Sequence, residues 1–200
     1  MAKLYFSYST MNAGKSTLLL QASYNYVERG MRTLLFTSSL YAEGEVGIIT
    51  SRIGISSPAE LYGADDDLFQ RVNDHMQESK VDCVFVDEAQ FLTAEQVWQL
   101  ARVSDRLDVP VMCFGLRTDF QGKLFPGSSE LLAIADELRE IRTICFCGRK
   151  ATMVVRRGAD GGVLTQGNQV SIEKSVYVSL CRRHFEEEIG RWPPKGPFER

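Results

Sequence analysis

Short apolar runs alternate with amphipathic stretches along the first two thirds of the chain. The apolar runs have the length of buried strands and lie at residues 3–8, 33–37, 81–86 and 111–114. Between them, apolar residues recur with the helical period over residues 16–28, 65–79 and 94–107. Apolar strands separated by helices are typical of a parallel sheet with both faces covered, so we expect an α/β fold.

Two stretches in this part of the chain lack either period. Residues 38–51 carry Gly44 and Gly47 without clear periodicity, which predicts a surface loop. Residues 119–128 are too irregular for a helix or a strand and too apolar for a free loop. On their own, these residues predict a surface loop that Phe120 and Phe125 anchor to the core.

The pattern changes again from about residue 142. Residues 151–157 and 169–178 alternate like the strands of a small ribbon, and residues 160–162 predict a turn between them. We therefore expect three parts, which are an α/β domain over residues 1–140, a small domain over 141–190 and a flexible tail over 191–200.

The segment between the first predicted strand and the first predicted helix has the composition of a phosphate-binding loop. It reads Met11-Asn12-Ala13-Gly14-Lys15-Ser16-Thr17. In such a loop the backbone N–H groups surround an anion, Lys15 would contact the β- and γ-phosphates, and the Ser16 hydroxyl would ligate Mg²⁺. The strict motif has a glycine where this chain has Ser9, and Gly-Lys-Ser also occurs at helix starts that bind nothing. Because a strand precedes the loop and a helix follows it, we expect phosphate binding.

Two adjacent carboxylates follow the third predicted strand. Asp87 and Glu88 end the apolar run that begins at Cys83. An acid in this position of a P-loop protein helps to hold Mg²⁺, which is the role we expect for Asp87. Successive side chains diverge, so Glu88 could accept a proton from an attacking oxygen. The alternative is that the pair merely caps a strand or begins a helix.

Three of the five cysteines lie late in the chain, close to a histidine. Cys145 and Cys147 form one pair, while Cys181 and His184 form a second pair with a two-residue gap. Three sulfurs and one imidazole nitrogen fit a closed, structural Zn²⁺ site. The alternative is that Cys145 and Cys147, spaced more closely than in the usual Cys-x-x-Cys pair, are ordinary strand residues on one face. Cys83 and Cys113 lie inside apolar runs and are predicted to be inert core residues.

Composition restricts the remaining classes of function. The 200 residues carry a net charge of −3, and this acidic balance argues against a nucleic-acid-binding surface. No stretch has the length of a transmembrane span, and the N-terminus lacks the layout of a signal peptide. We therefore expect a cytoplasmic protein with no membrane partner.

Four ordered motifs resemble those of the cytosolic (type II) thymidine kinases. They are the loop at residues 11–17, the strand end at 86–91, the stretch at 114–120 and the segment at 177–184. The resemblance implies a P-loop (RecA-like) parallel sheet flanked by helices, and a small zinc-ribbon-like domain carrying a lasso-type loop. It implies transfer of the γ-phosphoryl group of ATP to the 5′-hydroxyl of thymidine, with Mg²⁺ and with Glu88 as the general base. A homotetramer and feedback inhibition by dTTP are implied in the same way.

The resemblance also implies two sets of contact residues. The ATP site would comprise Ser9, Met11, Asn12, Ala13, Gly14, Lys15, Ser16, Thr17, Asp87, Glu88 and Gln90. The nucleoside would be contacted by Met11, Phe91, Leu116, Phe120, Phe125 and Tyr177. Two departures stand against the family pattern: residues 41–44 lack the usual Asp-x-Arg-aromatic element, and residues 172–176 lack the usual Gly-Gly turn.

Two other functions fit the same motifs. A P-loop ATPase or nucleotide switch could use the ribbon to bind another macromolecule. A degenerate member of the family could bind nucleotides without catalysis, since the element at residues 41–44 is altered.

Overall fold

The computed structural model of this chain describes residues 1–41, 47–169 and 176–191. The contacts within it separate two compact units. The first unit consists of Met1–Tyr8, Gly14–Arg117 and Phe125–Ile141. The second consists of Ser9–Ala13, Thr118–Leu124 and the described residues from Arg142 onward. No helix in the described ranges is long and apolar enough to cross a membrane.

The first unit is built on a seven-stranded sheet. Its strands are β1 (Leu4–Ser9), β2 (Thr33–Ser38), β3 (Gly47–Thr50), β4 (Ser56–Tyr62), β5 (Cys83–Val86), β6 (Val111–Leu116) and β7 (Glu137–Glu140). Its helices are α1 (Lys15–Val27), α2 (Leu68–Glu78), α3 (Ala94–Leu107) and α4 (Pro126–Ile134), with short 3₁₀ helices at Ser39–Tyr41 and Ala89–Phe91. The strands follow the order β3-β4-β2-β5-β6-β1-β7 across the sheet.

Most of this sheet is parallel, and the predicted α/β fold is confirmed. β2 pairs in parallel with both β4 and β5, as do β5 with β6 and β1 with β7. Alternate residues of β2 enter two different apolar clusters: Leu34 and Phe36 pack with residues of α2 and α3, whereas Leu35 packs with residues of α1. Helices therefore cover both faces of the sheet, as the uninterrupted apolar runs predict.

The predicted helices are confirmed to within a few residues, and two have caps that fix their starts. Thr93 and Gln96 form a reciprocal capping box at the start of α3. Asp67 caps α2 by accepting a hydrogen bond from the backbone N–H of Gln70, at 2.9 Å.

Several elements of the first unit differ from the sequence prediction. The predicted loop at 38–51 is wrong in part, because it contains β3, which runs antiparallel to β4 at one edge; residues 42–46 of that loop lie outside the described residues. β4 was not predicted, since Pro58 and its polar neighbours hide a strand pattern. β7 was not predicted because it is charged, as edge strands often are.

The irregular segment predicted over residues 119–128 is also wrong in part. α4 begins at Pro126, so residues 126–128 are helical. Proline is favoured in the first turn of a helix, because its missing N–H has no intrahelical partner there.

The second unit contains two small antiparallel sheets and a short helix. The strands are β8 (Thr143–Ile144), β9 (Lys150–Ala151), β10 (Met153–Arg157), β11 (Val163–Leu164) and β12 (Val176–Leu180), followed by α5 (Arg182–Glu188). β10 lies between β11 and β12, and β8 pairs with β9. The predicted turn is confirmed by a 2.9 Å hydrogen bond from Gly158 N to Gly162 O. Residues 170–175 of the second predicted ribbon strand, and residues 192–200 of the predicted tail, lie outside the described residues.

Candidate active site and metal centre

The start of α1 has the backbone geometry of an anion-binding loop. Asn12 has a φ of 63° and Gly14 a φ of 83°, both in the left-handed region. Gly14 occupies the N-cap position, and no described side chain caps the helix there. The first backbone N–H groups of a helix lack intrahelical acceptors and carry the positive end of the helix dipole. The backbone around Gly14 therefore has the arrangement that binds an anion at the start of a helix.

Lys15 begins α1 and is buried, with 8% of its surface exposed. Burial lowers the pKa of its ammonium group, while the carboxylates of Glu88 and Asp87 oppose this change. Arg52 lowers the pKa further through like-charge repulsion. The two acids that follow β5 are thus electrostatically coupled to the lysine of the loop.

Ser16 and Asp87 meet within the first unit, as the two sequence motifs predict. The Ser16 hydroxyl donates to Asp87 Oδ2 at 3.0 Å. Burial raises the pKa of the Asp87 carboxyl to about 6, together with repulsion from Glu88, although the Ser16 hydrogen bond opposes the change. Asp87 Oδ1 is buried without a hydrogen-bond partner among the described residues. A buried carboxylate with one unpaired oxygen, next to a hydroxyl, is a donor set that suits Mg²⁺.

Glu88 follows Asp87 with a left-handed φ of 53°, so its side chain leaves the strand direction. Its carbonyl oxygen accepts hydrogen bonds from Tyr62 OH at 2.8 Å and from Phe91 N at 3.0 Å. Its carboxylate Oε2 accepts from Gln90 Nε2 at 2.5 Å, and Gln90 Oε1 in turn accepts from Leu116 N at 2.9 Å. Hydrogen bonds therefore hold both the backbone and the carboxylate of Glu88.

Three supporting residues were missed from the sequence. Tyr62, at the end of β4, holds the Glu88 carbonyl. Gly127 brings α4 against the 3₁₀ helix at Ala89–Phe91, because a Cβ there would lie 2.5 Å from Ala89 O. Ser128 donates through its hydroxyl to Leu116 O at 2.5 Å. The Pro-Gly-Ser run at the start of α4 is the sequence signal that could have indicated Gly127 and Ser128. No pattern in the sequence indicates Tyr62.

The residues predicted to contact the nucleoside are divided between the two units. In the first, Leu116 and Phe125 are buried, and half-buried Phe91 meets Phe125 edge-on with ring centroids 5.8 Å apart. In the second, Phe120 is buried, whereas Met11 and Tyr177 are half-buried.

The second unit also contains the first residues of the predicted phosphate loop. The Ser9 hydroxyl donates to Thr10 O at 2.8 Å, and the Ser179 hydroxyl donates to Met11 O at 2.7 Å. Within this unit, Ser179 of β12 therefore fixes the backbone of the loop segment. Asn12 is exposed and Ala13 half-buried.

The two departures from the family pattern are only partly visible. Residues 42–44 and residues 172–175 lie outside the described residues. Val176 and Tyr177, immediately after the second departure, belong to β12, where Tyr177 pairs with Arg156 of β10.

Cys145, Cys147, Cys181 and His184 come together in the second unit, as predicted. Their four ligand atoms all lie within 4.8 Å of one another, so this cluster could hold a metal ion. Cys145 Sγ lies 3.2 Å from His184 Nδ1, and Cys147 Sγ lies 3.9 Å from Cys181 Sγ. Four sulfur and nitrogen ligands around one point suit tetrahedral Zn²⁺ with no open position.

The local backbone explains why these four residues converge. The segment after Cys145 turns back through Gly148, whose N–H donates to Cys145 O at 2.8 Å. Cys181 occupies the N-cap of α5, which places His184 one turn further along. Burial raises the pKa of the Cys145 thiol, but hydrogen bonds from the backbone N–H groups of Cys147 and Cys181 outweigh it and bring the pKa to about 6. Metal ligation requires the thiolate, which this environment favours.

Comparison with known proteins identifies the family. The thymidine kinase family model matches residues 2–185. A thymidine kinase of Mesorhizobium japonicum is 69% identical over 194 residues, covering 97% of this chain and 96% of that protein. A thymidine kinase of Ruegeria pomeroyi is 61% identical over 197 residues, covering 98% and 100% of the two chains, and one of Haemophilus influenzae is 55% identical over 192 residues, covering 96% and 100%. The resemblance inferred from the four motifs is confirmed, and this chain belongs to the thymidine kinase family.

Proposed function

We propose an assignment of individual residues to the phosphoryl transfer that this ATP-dependent deoxynucleoside kinase performs. The reaction moves the γ-phosphoryl group of ATP to the 5′-hydroxyl of thymidine and gives dTMP and ADP. The observation that carries the assignment is the 3.0 Å hydrogen bond from the Ser16 hydroxyl to Asp87, beside Glu88, whose carboxylate is held by Gln90.

The donor side is assigned to the loop and the start of α1. Backbone N–H groups around Gly14 bind the phosphates, Lys15 places its charge on them, and Ser9, Met11, Asn12, Ala13 and Thr17 complete the ATP site. Ser16 and Asp87 would hold Mg²⁺, which would supply neutralisation of the phosphate charge. The buried position of Lys15 supports this role, since a desolvated cation interacts more strongly with an anion.

Glu88 is assigned as the general base. Its carboxylate removes the proton from the 5′-hydroxyl as that oxygen attacks the γ-phosphorus atom. Gln90 orients the carboxylate through Oε2, and the bonds from Tyr62 and Phe91 hold the backbone of Glu88. A base held in one orientation spends less of its time in unproductive positions.

The residues assigned to contact the thymine base are Met11, Phe91, Leu116, Phe120, Phe125 and Tyr177. A neutral base with few polar groups suits such surroundings. We propose that residues 1–140 form the nucleotide-binding domain. Residues 141–190 form a second domain, which carries a lasso-type loop over the nucleoside. Closure of this loop excludes water, which would otherwise compete for the phosphoryl group.

Further properties are part of the proposal, and two of them, the homotetramer and the inhibition by dTTP, rest on family membership alone. Cys145, Cys147, Cys181 and His184 hold a structural Zn²⁺. The protein is a cytoplasmic homotetramer of the P-loop (RecA-like) class, it is inhibited by dTTP, and it has no nucleic-acid or membrane partner.

The Glu88→Gln variant tests the central assignment. Purified protein is incubated with labelled ATP and a panel of deoxynucleosides, and the labelled products are identified. Because glutamine has the same shape but cannot accept the proton, we expect kcat to fall on the order of 10²–10⁴-fold while KM for ATP stays within about twofold. Glu95→Gln is the matched control, since Glu95 is an exposed partner of Arg102 and should keep full activity.

Two results would overturn the proposal. Full kcat in the Glu88→Gln variant would show that another group removes the proton. Label that appears only as inorganic phosphate, whatever nucleoside is supplied to the unaltered protein, would favour an ATPase over a nucleoside kinase.

A further inference from the structure

Arg156 is a buried arginine of the second unit to which the assignments above give no role. It lies on β10, and 6% of its surface is exposed. Its guanidinium carbon lies 4.0 Å from the centroid of the Phe120 ring, and its Nη1 donates to Asn168 O at 3.0 Å. Its Nε has no hydrogen-bond partner among the residues that the structure describes. Both of these contacts are with neutral groups.

Stability alone does not account for an arginine in this position. Removing a guanidinium from water is costly unless the charge is paired and hydrogen-bonded, and an aromatic ring and one carbonyl oxygen offset only part of that cost. What the guanidinium supplies is a flat cationic surface, which stacks on the face of an aromatic ring and restricts how that ring can turn.

The residues around Arg156 join two loops of the second unit. Asp119 Oδ1 accepts from the backbone N–H groups of Gln121 and Lys123, at 2.9 and 2.8 Å, and this closes the turn that carries Phe120. Gln169 Nε2 donates to Asp119 Oδ2 at 2.8 Å, and Gln121 Nε2 donates to Gly167 O at 2.8 Å. The turn at 118–124 is thereby tied to the loop at 165–169.

Gly167 allows the second loop to approach the guanidinium. It has a φ of 127°, and a Cβ at this position would lie 2.7 Å from Arg156 Nη2. Arg156 is therefore enclosed on one side by the Phe120 ring and on another by the backbone of residues 167–168.

We propose that Arg156 is a positioning residue for the nucleoside, because it fixes the Phe120 ring between the two loops. This inference rests on the proposed function, in which Phe120 contacts the thymine base. Without the guanidinium, the ring gains freedom that must be lost again when the nucleoside binds, so affinity for the nucleoside falls. The binding of ATP does not depend on this ring and is unaffected.

The test compares Arg156→Met with Arg156→Lys in steady-state kinetics. Methionine keeps the length of the side chain but removes the charge and the planar surface, so KM for thymidine should rise about tenfold. Lysine retains a cation over the ring and should restore about half of that loss on a logarithmic scale. KM for ATP and kcat should stay within about twofold of the unaltered protein in both variants.

Arg157→Met is the matched control. Arg157 is the next residue on β10, and its guanidinium pairs with Glu188 at 2.8 Å while about a third of its side chain is exposed. This variant should leave KM for thymidine unchanged. Gln169→Leu, which removes the bond to Asp119, should raise KM for thymidine in the same direction and provides a second variant if Arg156→Met fails to fold.

Thermal melting of each variant separates positioning from a structural role. An unchanged KM for thymidine in Arg156→Met, or equal rises in KM for thymidine and for ATP together with a lower melting temperature, would overturn the proposal. Phe120→Ala distinguishes this failure from a failure of the proposed function. If Phe120→Ala leaves KM for thymidine unchanged, the assignment of Phe120 is wrong; if it raises KM and Arg156→Met does not, the role of Arg156 alone is refuted.

Discussion

Removing the hydroxyl of Tyr62 tests whether the positioning of Glu88 affects catalysis separately from the stability of the fold. The side chain is 2% exposed, and the hydroxyl donates to Glu88 O at 2.8 Å and lies 3.5 Å from Asp87 O. Tyr62→Phe removes these interactions, and a hydrogen bond with the Ser38 side chain, without changing the ring. Glu88 O keeps its hydrogen bond from Phe91 N, so the carbonyl is not left unpaired.

The size of the effect can be estimated from this geometry. Losing the hydrogen bond to Glu88 O, with that acceptor still bonded to Phe91 N, costs about 1 kcal/mol of unfolding free energy. For a protein of this length that corresponds to a fall in melting temperature of about 2–4 °C. Because Glu88 has a left-handed φ, its backbone also relaxes more readily than a strand residue would, and we expect kcat to fall about 5–10-fold with KM for ATP unchanged.

The assay couples ADP formation to a spectroscopic signal, at saturating thymidine and ATP, alongside a thermal melt. Tyr26→Phe is the control, because Tyr26 also has a partly buried hydroxyl, which hydrogen-bonds Cys83, and its ring packs edge-on against Phe85. It should lower the melting temperature by a similar amount and leave kcat unchanged. The reasoning is refuted if Tyr62→Phe loses stability but retains full kcat, or if both variants lose kcat equally.

Two further predictions concern the metal cluster and the packing of α4. Cys147→Ser should reduce bound zinc from about one ion per chain to a small fraction, measured by elemental analysis, while Cys83→Ser keeps it; retained zinc would exclude Cys147 as a ligand. Gly127→Ala should lower the free energy of unfolding by about 1–3 kcal/mol, because the new Cβ would lie 2.5 Å from Ala89 O and 2.7 Å from Leu92 O. The control is Gly63→Ala, whose Cβ would meet only Ser39 Oγ at 3.6 Å, and it should leave the free energy of unfolding nearly unchanged in a denaturant titration. Equal stability of the two glycine variants would contradict the close approach of α4.

The sequence predicts the parts of the fold in which burial is uniform. β5 and β6 are buried along almost their whole length, and α3 has both an apolar stripe and a capping box. β4 and β7 escape prediction because their residues are polar or charged, and what makes them strands is pairing with β2 and β1 rather than their own pattern. Local periodicity reports burial, and a strand that is only partly buried gives little signal.

Some residues of the candidate site could also be predicted from the sequence, and others could not. The proximity of Lys15, Ser16 and Asp87 could be predicted, because motifs for phosphate and cation binding place particular residue types at a fixed spacing. Cys145, Cys147, Cys181 and His184 could be predicted because few other patterns place sulfur and imidazole together. Tyr62, Ser128 and Arg156 could not, because each acts on a backbone carbonyl or an aromatic ring that is distant in the sequence, and many residue types could occupy those positions.

The order of strands in the sheet has a consequence for protein synthesis. β1, which leads into the phosphate loop, lies between β6 and β7, and Tyr5 pairs with Glu137 while Lys3 O accepts from Val111 N. β1 therefore has neither neighbour until residues 111–116 and then 137–140 have been translated. Such long sequence separations slow folding, and a nascent chain that ends before residue 111 has both edges of β1 unpaired. The loop proposed to bind the phosphates can acquire its final setting only after residue 140 has been translated, and until then the nascent chain carries unpaired strand edges.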